Sequence, residues 1–287
     1  MPAAKWLIIG MLALALGACS LARLAYDNGP TLAMRWLDGW FDLDAAQEAQ
    51  ARPALARWFE WHRTSQLPDY VQTVARWRQL AKGEVTPDQL CAEADQLRAK
   101  VSLAVEQVLP DAAALLPLLT PAQLAHLERT QADRLADWRE EHLQPRMEDR
   151  RRAMLDRAVE QAEDLYGPLQ PQQLALLEAA QQSSPLDAEL WLAQREARNR
   201  LLLEGLRQAR TLESTAARTQ ALRALAQRYQ QPVDRAYASM LARWQAHSCD
   251  TAARLHHLSS LAQRQHLDQR LAGWEEDLRA LAARGSG

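Results

Sequence analysis

The chain has 287 residues and a formal net charge of −2, so it is long enough to bury a real core and lacks the basic excess that nucleic-acid binding calls for. Its two isoleucines, Ile8 and Ile9, fall at the very start, and only eight valines and two phenylalanines accompany them. The residues that strands favour are therefore scarce, while Ala, Leu, Gln, Glu and Arg, strong helix formers, dominate. This composition excludes a sheet protein and predicts an all-α fold, a multi-helix antiparallel bundle of elongated or curved outline.

An apolar run from Trp6 to Leu16 follows the lone positive charge of Lys5. It is shorter than the roughly 20 apolar residues of a membrane-spanning helix and has the layout of a secretory signal. It ends in Leu16-Gly17-Ala18-Cys19, which resembles the lipobox of bacterial lipoproteins. That resemblance implies removal of residues 1–18, acylation of Cys19 and a membrane held through several acyl chains, which anchor stably where one would not. In such lipoproteins an aspartate after the cysteine marks retention at the inner membrane. Ser20 stands there instead, which implies the outer membrane and a domain facing the periplasm.

Residues 19–30 then read as a lipidated N-terminus and tether, with a turn signal at Asn28-Gly29-Pro30. Residues 31–284 read as a helical domain, with a Trp-rich subdomain over 31–83, and residues 285–287 as a fraying tail. A short helix runs from Thr31 to Phe41. A second runs from Asp44 to Gln66, broken by Leu67-Pro68-Asp69, and a third from Pro68 to Ala81, stopped at Gly83. Thr86-Pro87-Asp88-Gln89 has the form of a capping box and opens a helix to Leu109. An apolar connector, 111–116, sits between Pro110 and Pro117. Thr120-Pro121-Ala122-Gln123 repeats the start signal for a helix reaching Tyr166, bent or broken near Pro145. Further starts lie at Gln170-Pro171-Gln172-Gln173 and Ser184-Pro185. Helices are expected over 211–230 and 232–247, and a last one from Ser259 or Ser260 to Arg284.

With Cys19 acylated, Cys91 and Cys249 are left, and an even pair in an oxidising compartment reads either as a disulfide or as two separate buried thiols. The tryptophans are concentrated early, at Trp36, Trp40, Trp58, Trp61 and Trp77. At helical spacing such rings are either packed core or the floor of a hydrophobic binding surface. In the second case Trp36, Trp40, Trp58 and Trp61 form the surface, and Arg35, Arg57, Arg63 and Asp69 its polar rim.

The segment from Tyr26 to Tyr70, with Trp36-Leu37-Asp38-Gly39 and Trp58-Phe59-Glu60-Trp61-His62-Arg63 leading to Leu67-Pro68-Asp69-Tyr70, resembles a proteobacterial lipoprotein family, domain of unknown function 6279. The resemblance implies the lipoprotein address and a helical fold, and it carries no activity. Leu119-Thr120-Pro121-Ala122-Gln123, with looser copies at Leu169–Gln173 and Leu258–Gln263, is similar to the Leu-Thr-x-x-Gln motif of Spy and CpxP-type periplasmic chaperones. In those proteins the motif supports a cradle that shields unfolded clients. The same residues also read simply as helix N-termini.

Chemistry-bearing motifs are missing. No His pair has zinc-site helical spacing, no Gly-x-Ser-x-Gly elbow or phosphate loop occurs, and acidic pairs alternate with arginines as on solvated helix faces. No metal or cofactor is expected. The reading is an outer-membrane lipoprotein that binds a protein or envelope partner rather than catalysing, chaperone-like in character. An envelope enzyme acting on peptidoglycan, or a purely structural lipoprotein, is the alternative.

Overall fold

The computed structural model of the chain describes residues 23–284. The signal-like run, Cys19 and the tail expected at 285–287 lie outside them. Among the described residues there is no strand. The order is α1 (Gly29–Phe41), α2 (Ala45–Trp61), a π-helical turn (His62–Gln66), α3 (Leu67–Leu80), α4 (Pro87–Leu115), a 3-10 turn (Leu116–Leu118), α5 (Pro121–His142), α6 (Met147–Tyr166), α7 (Pro171–Gln182), α8 (Ala188–Arg210), α9 (Thr215–Gln230), α10 (Arg235–His257) and α11 (Leu261–Ala283).

Three boundaries differ from the sequence expectation for a packing reason, and the starts expected at Ser184-Pro185, 211 and 232 fall later, behind the caps Asp187, Ser214 and Asp234. The predicted break at Leu67-Pro68-Asp69 does not occur. Pro68 offers no N–H and crowds the carbonyl four residues back. The chain widens there instead, with Leu67 N–H bonded to His62 O, and α2 runs on into α3. The helix from Pro87 does not stop before Pro110, and the predicted connector is its last turn. Leu109, Ala113 and Leu116 fall on one face and are buried together, which outweighs the roughly 3 kcal/mol an interior proline costs. Likewise α10 continues past His247, because Cys249, Ala253, Leu255 and His256 give it a buried face.

The N-terminal stretch is docked rather than a free tether from Arg23 onward. A helical turn over 23–27 precedes α1. Arg23 Nε bonds Asp277 at 2.6 Å, Tyr26 Oη meets His62 Nδ1 at 2.7 Å, and Asp27 pairs with Arg63 at 3.4 Å and with Arg284. Gly29 is required here, since a Cβ would fall 2.3 Å from Phe59 Cε1.

Two cores result. The first joins the end of α4, the start of α5, the end of α8 and α9, through Leu109, Leu124, Leu127, Leu203, Leu206, Leu222 and Leu225. The second joins α3, α6, α7, α10 and α11, through Val74, Tyr166, Leu177, Leu255, Leu267 and Leu271. The expected Trp-rich subdomain over 31–83 is therefore no separate unit. Helix α1 lies on α2 and α5, and α2 on α4, whereas α3 packs along α11 at the other end of the chain. Helix α4 touches α9 and α10 and spans between the cores. All these contacts are made within residues 23–284, which a chain starting at Ser20 retains.

The helix starts are paired. Asp44-x-x-Gln47 and Thr120-x-x-Gln123 are both capping boxes. Their glutamines, each buried, exchange amide bonds: Gln47 Nε2 to Gln123 Oε1 at 2.9 Å, and Gln123 Nε2 to Gln47 Oε1 at 2.6 Å. Each also donates to the carbonyl just before the partner helix, Leu118 O and Asp42 O, both at 2.7 Å. The starts of α7 and α11 repeat one half of the arrangement, with Gln263 Nε2 donating to Gln173 Oε1 and to Pro168 O at 2.9 Å each. Two positive helix ends brought together would repel, and the amide oxygens placed between them offset this.

Candidate ligand-binding cavity

Five tryptophans converge where α3, α5, α8, α10 and α11 meet. Trp77, Trp138, Trp191, Trp244 and Trp274 line a cavity of about 850 Å³ over the second core. That lies within the range of roughly 300–1,000 Å³ typical of ligand pockets. Four of these rings stand singly in the sequence, on four different helices, and no local signal marks them as partners. Leu90, Leu177, Leu186, Leu255, Leu267 and Leu271 fill the wall between them. Trp191 and Trp244 meet edge to face at 5.8 Å, and Trp138 stacks on His142 at 4.5 Å. Trp77 Nε1 donates to Glu93 at 2.8 Å, so its indole polar atom is satisfied and its ring is fixed.

The wall behind Trp77 and Trp274 is held by ions. Arg78 takes Asp268 in two bonds, at 2.9 and 3.0 Å, and buried Glu275 at 2.9 Å, tying α3 to α11. The Arg78 guanidinium holds the Asp268 carboxyl below its ordinary range. These groups tie the two helices together, with three donors of the Arg78 fork engaged.

Each cavity histidine is bonded to a backbone carbonyl: His142 to Trp138 O, His247 to Ala180 O and His256 to Gly83 O, at 3.1, 2.9 and 3.1 Å. Because Gly83 O only accepts, His256 Nε2 carries the proton, and Nδ1 accepts from Tyr166 Oη at 3.1 Å. Burial pushes the Tyr166 hydroxyl up to about 12 and the His256 ring down from its ordinary value. Around His256 stand Tyr166, Arg264 and His257. Burial also lowers His62, which sits against Tyr26, Trp58 and Tyr70.

A base with a folded pKa below its unfolded value of 6.5 favours the folded state fully above that pH. The stability is lost as pH falls from 6.5 toward the folded pKa. Urea midpoints are therefore expected to drop between pH 7.5 and pH 5.5, and less so in His256→Gln. Equal drops in the two proteins would remove His256 from the account.

The residues singled out in the sequence do not form one surface. Trp36 and Arg35 are exposed on α1. Trp40 is half-buried beside Trp36, under the Arg134 guanidinium at 4.7 Å. Trp58 turns to α4, where Nε1 bonds Ala104 O at 3.0 Å, and Trp61 lies beside it, with ring centroids 6.1 Å apart. Arg57 pairs with Asp111 at 2.5 Å, Arg63 with Asp27 and Leu281 O, and Asp69 with Lys100. Trp40, Trp58 and Trp61 pack on different neighbours while Trp36 stays exposed, and Arg57 and Arg63, not Arg35, tie segments together. Cys91 and Cys249 are joined in a disulfide with Cα atoms 5.7 Å apart, linking α4 to α10. Among the described residues no group of three or more His, Cys, Asp or Glu is arranged to hold a metal ion.

No curated protein and no solved structure matches the chain. The Leu-Thr-x-x-Gln segments are helix starts paired through their glutamines, and similarity to the Spy and CpxP type is not shown. The sequence profile of a family of unknown function, DUF6279, matches residues 39–238 and ends inside α10, before α11, the helix that α3 packs along. With well over half its length matched, the chain belongs to the DUF6279 family.

Proposed function

We propose that the protein is a non-catalytic binding lipoprotein, anchored through Cys19 to the outer membrane on its periplasmic side, which shelters an apolar ligand in the five-tryptophan cavity. The observation carrying this reading is the convergence of Trp77, Trp138, Trp191, Trp244 and Trp274 on one concavity. Rings held this way present a large apolar area at small entropic cost, which suits binding. The enzyme reading draws less support. Glu93, the one carboxylate of the wall, accepts from Trp77 and Arg76, and the histidines are tied to carbonyls. A client-holding reading draws on the exposed Leu97 and Val101, four apart on α4.

The test uses a chain starting at Ser20 and the neutral dye N-phenyl-1-naphthylamine. Bound dye is expected to brighten at one site per chain and to quench tryptophan emission, and Ala158→Trp, which fills the cavity, is expected to abolish both. Dye binding unaffected by that substitution would overturn the cavity reading. Suppression of client aggregation by the same variant, without dye binding, would favour the α4 surface instead. The anchor has its own test: Cys19→Ala in the full chain is expected to end palmitate labelling, and persistent labelling rules the lipid out.

A further inference from the structure

We propose that the ligand is an anionic amphiphile, one apolar chain bearing a carboxylate or phosphate head, with Arg157 and Arg195 receiving the head. The proposal rests on the cavity reading above and adds the chemistry of the occupant. Among the described residues, three charged side chains of fixed sign line the cavity: Glu93, Arg157 and Arg195. Glu93 is engaged, accepting from Trp77 Nε1 at 2.8 Å and from Arg76 at 3.3 Å. The two arginines are not. Arg23, Arg57, Arg78, Arg207 and Arg270 all reach a carboxylate within 3.0 Å, but among the described residues neither Arg157 nor Arg195 has a carboxylate partner.

Arg195 is instead poised by an aromatic stack. Its guanidinium lies 5.4 Å from the Trp138 ring centre, and Trp138 lies nearly parallel to His142, at 8°. A cation held over an indole keeps its N–H fork free for an outside acceptor. Two unmatched positive charges beside an apolar hollow complement a molecule with one negative end and one greasy end. An apolar body that displaces water from the hollow strengthens the ion pairs at its head, because the local dielectric falls. The fork geometry of arginine suits a planar carboxylate or a phosphate better than a hydroxyl or a cation.

The experiment compares four twelve-carbon probes on the chain starting at Ser20: dodecanoate, dodecyl phosphate, dodecanol and dodecyltrimethylammonium, each below its micelle concentration and read by tryptophan quenching. Both anions are expected to bind about tenfold tighter than dodecanol, a difference of about 1.4 kcal/mol, and the cation more weakly still. Their order assigns the head as carboxylate or phosphate. In the double variant Arg157→Gln, Arg195→Gln the anion-to-alcohol ratio is expected to fall to about one, whereas Arg157→Lys, Arg195→Lys keeps part of it. Equal affinity for anion, alcohol and cation would overturn the headgroup assignment and leave the cavity reading standing. Failure of all four probes, together with failure of the neutral dye, would overturn both.

Discussion

Reduction of the Cys91–Cys249 bridge is expected to lower the free energy of unfolding by about 4 kcal/mol, the upper end of what a single cross-link contributes. The size follows from the sequence separation of 158 between the two cysteines, because a longer closed loop removes more freedom from the unfolded chain. The bridge also couples the two cores. Helix α4 supplies Leu109 and Ala113 to the first, and α10 supplies Leu255 to the second. Reduced protein should therefore unfold at lower denaturant and over a broader transition. Cys91→Ala, Cys249→Ala should match it, and the denatured, unreduced chain starting at Ser20 should hold no free sulfhydryl. Two titratable thiols, or a midpoint indifferent to reductant, would count against the bridge.

Gln123→Leu is expected to cost about 3 kcal/mol, far more than the change of one polar side chain on a helix surface. Four groups lose a bond together: Asp42 O and the Thr120 N–H lose their partner, while the Gln47 amide nitrogen keeps only Leu118 O and the Gln47 oxygen only the Asp44 N–H. The two glutamine amides are buried, so a bond lost between them carries a desolvation penalty of about 1–3 kcal/mol, whereas Asp42 O and the Thr120 N–H are only part-buried and add less. The control is internal. Gln89 closes the same kind of box with Thr86, at 2.9 and 3.2 Å, but it is exposed and meets no second glutamine. Gln89→Ala is expected to cost about 0.5–1 kcal/mol, as a lone cap does. Equal losses at positions 89 and 123 would show that pairing of the helix starts contributes nothing. The second pair should be less costly to break, because Gln173 Nε2 is buried without a partner there.

Much of this fold was legible because helix starts are local. Thr86, Thr120 and Ser260 cap the helices that their sequence patterns announce, and the break near Pro145 falls between α5 and α6. The ends were less legible where tertiary packing overrode a local stop, as at Pro110 and beyond His247. The pairing of Asp44-x-x-Gln47 with Thr120-x-x-Gln123 is not legible, since nothing in either segment reports on the other. The cavity is illegible in the sequence for the same reason. Clustered rings at positions 36 to 61 form a visible pattern, whereas Trp138, Trp191, Trp244 and Trp274 gain significance only when four helices bring them together with Trp77. Single rings far apart in sequence carry no periodicity, and proximity in space is what makes them a site.

The docked N-terminal turn has a mechanical consequence. Arg23 is already fastened to Asp277, and four peptide links separate it from Cys19. Even fully stretched, that leash spans only about 14 Å, at roughly 3.5 Å per residue. A lipid on Cys19 would then moor the body with the end of α11 turned toward the bilayer, and the protein would not sweep the periplasm on a flexible line. Its searches would be lateral, in two dimensions, and its cargo would be exchanged with the leaflet on which it rides.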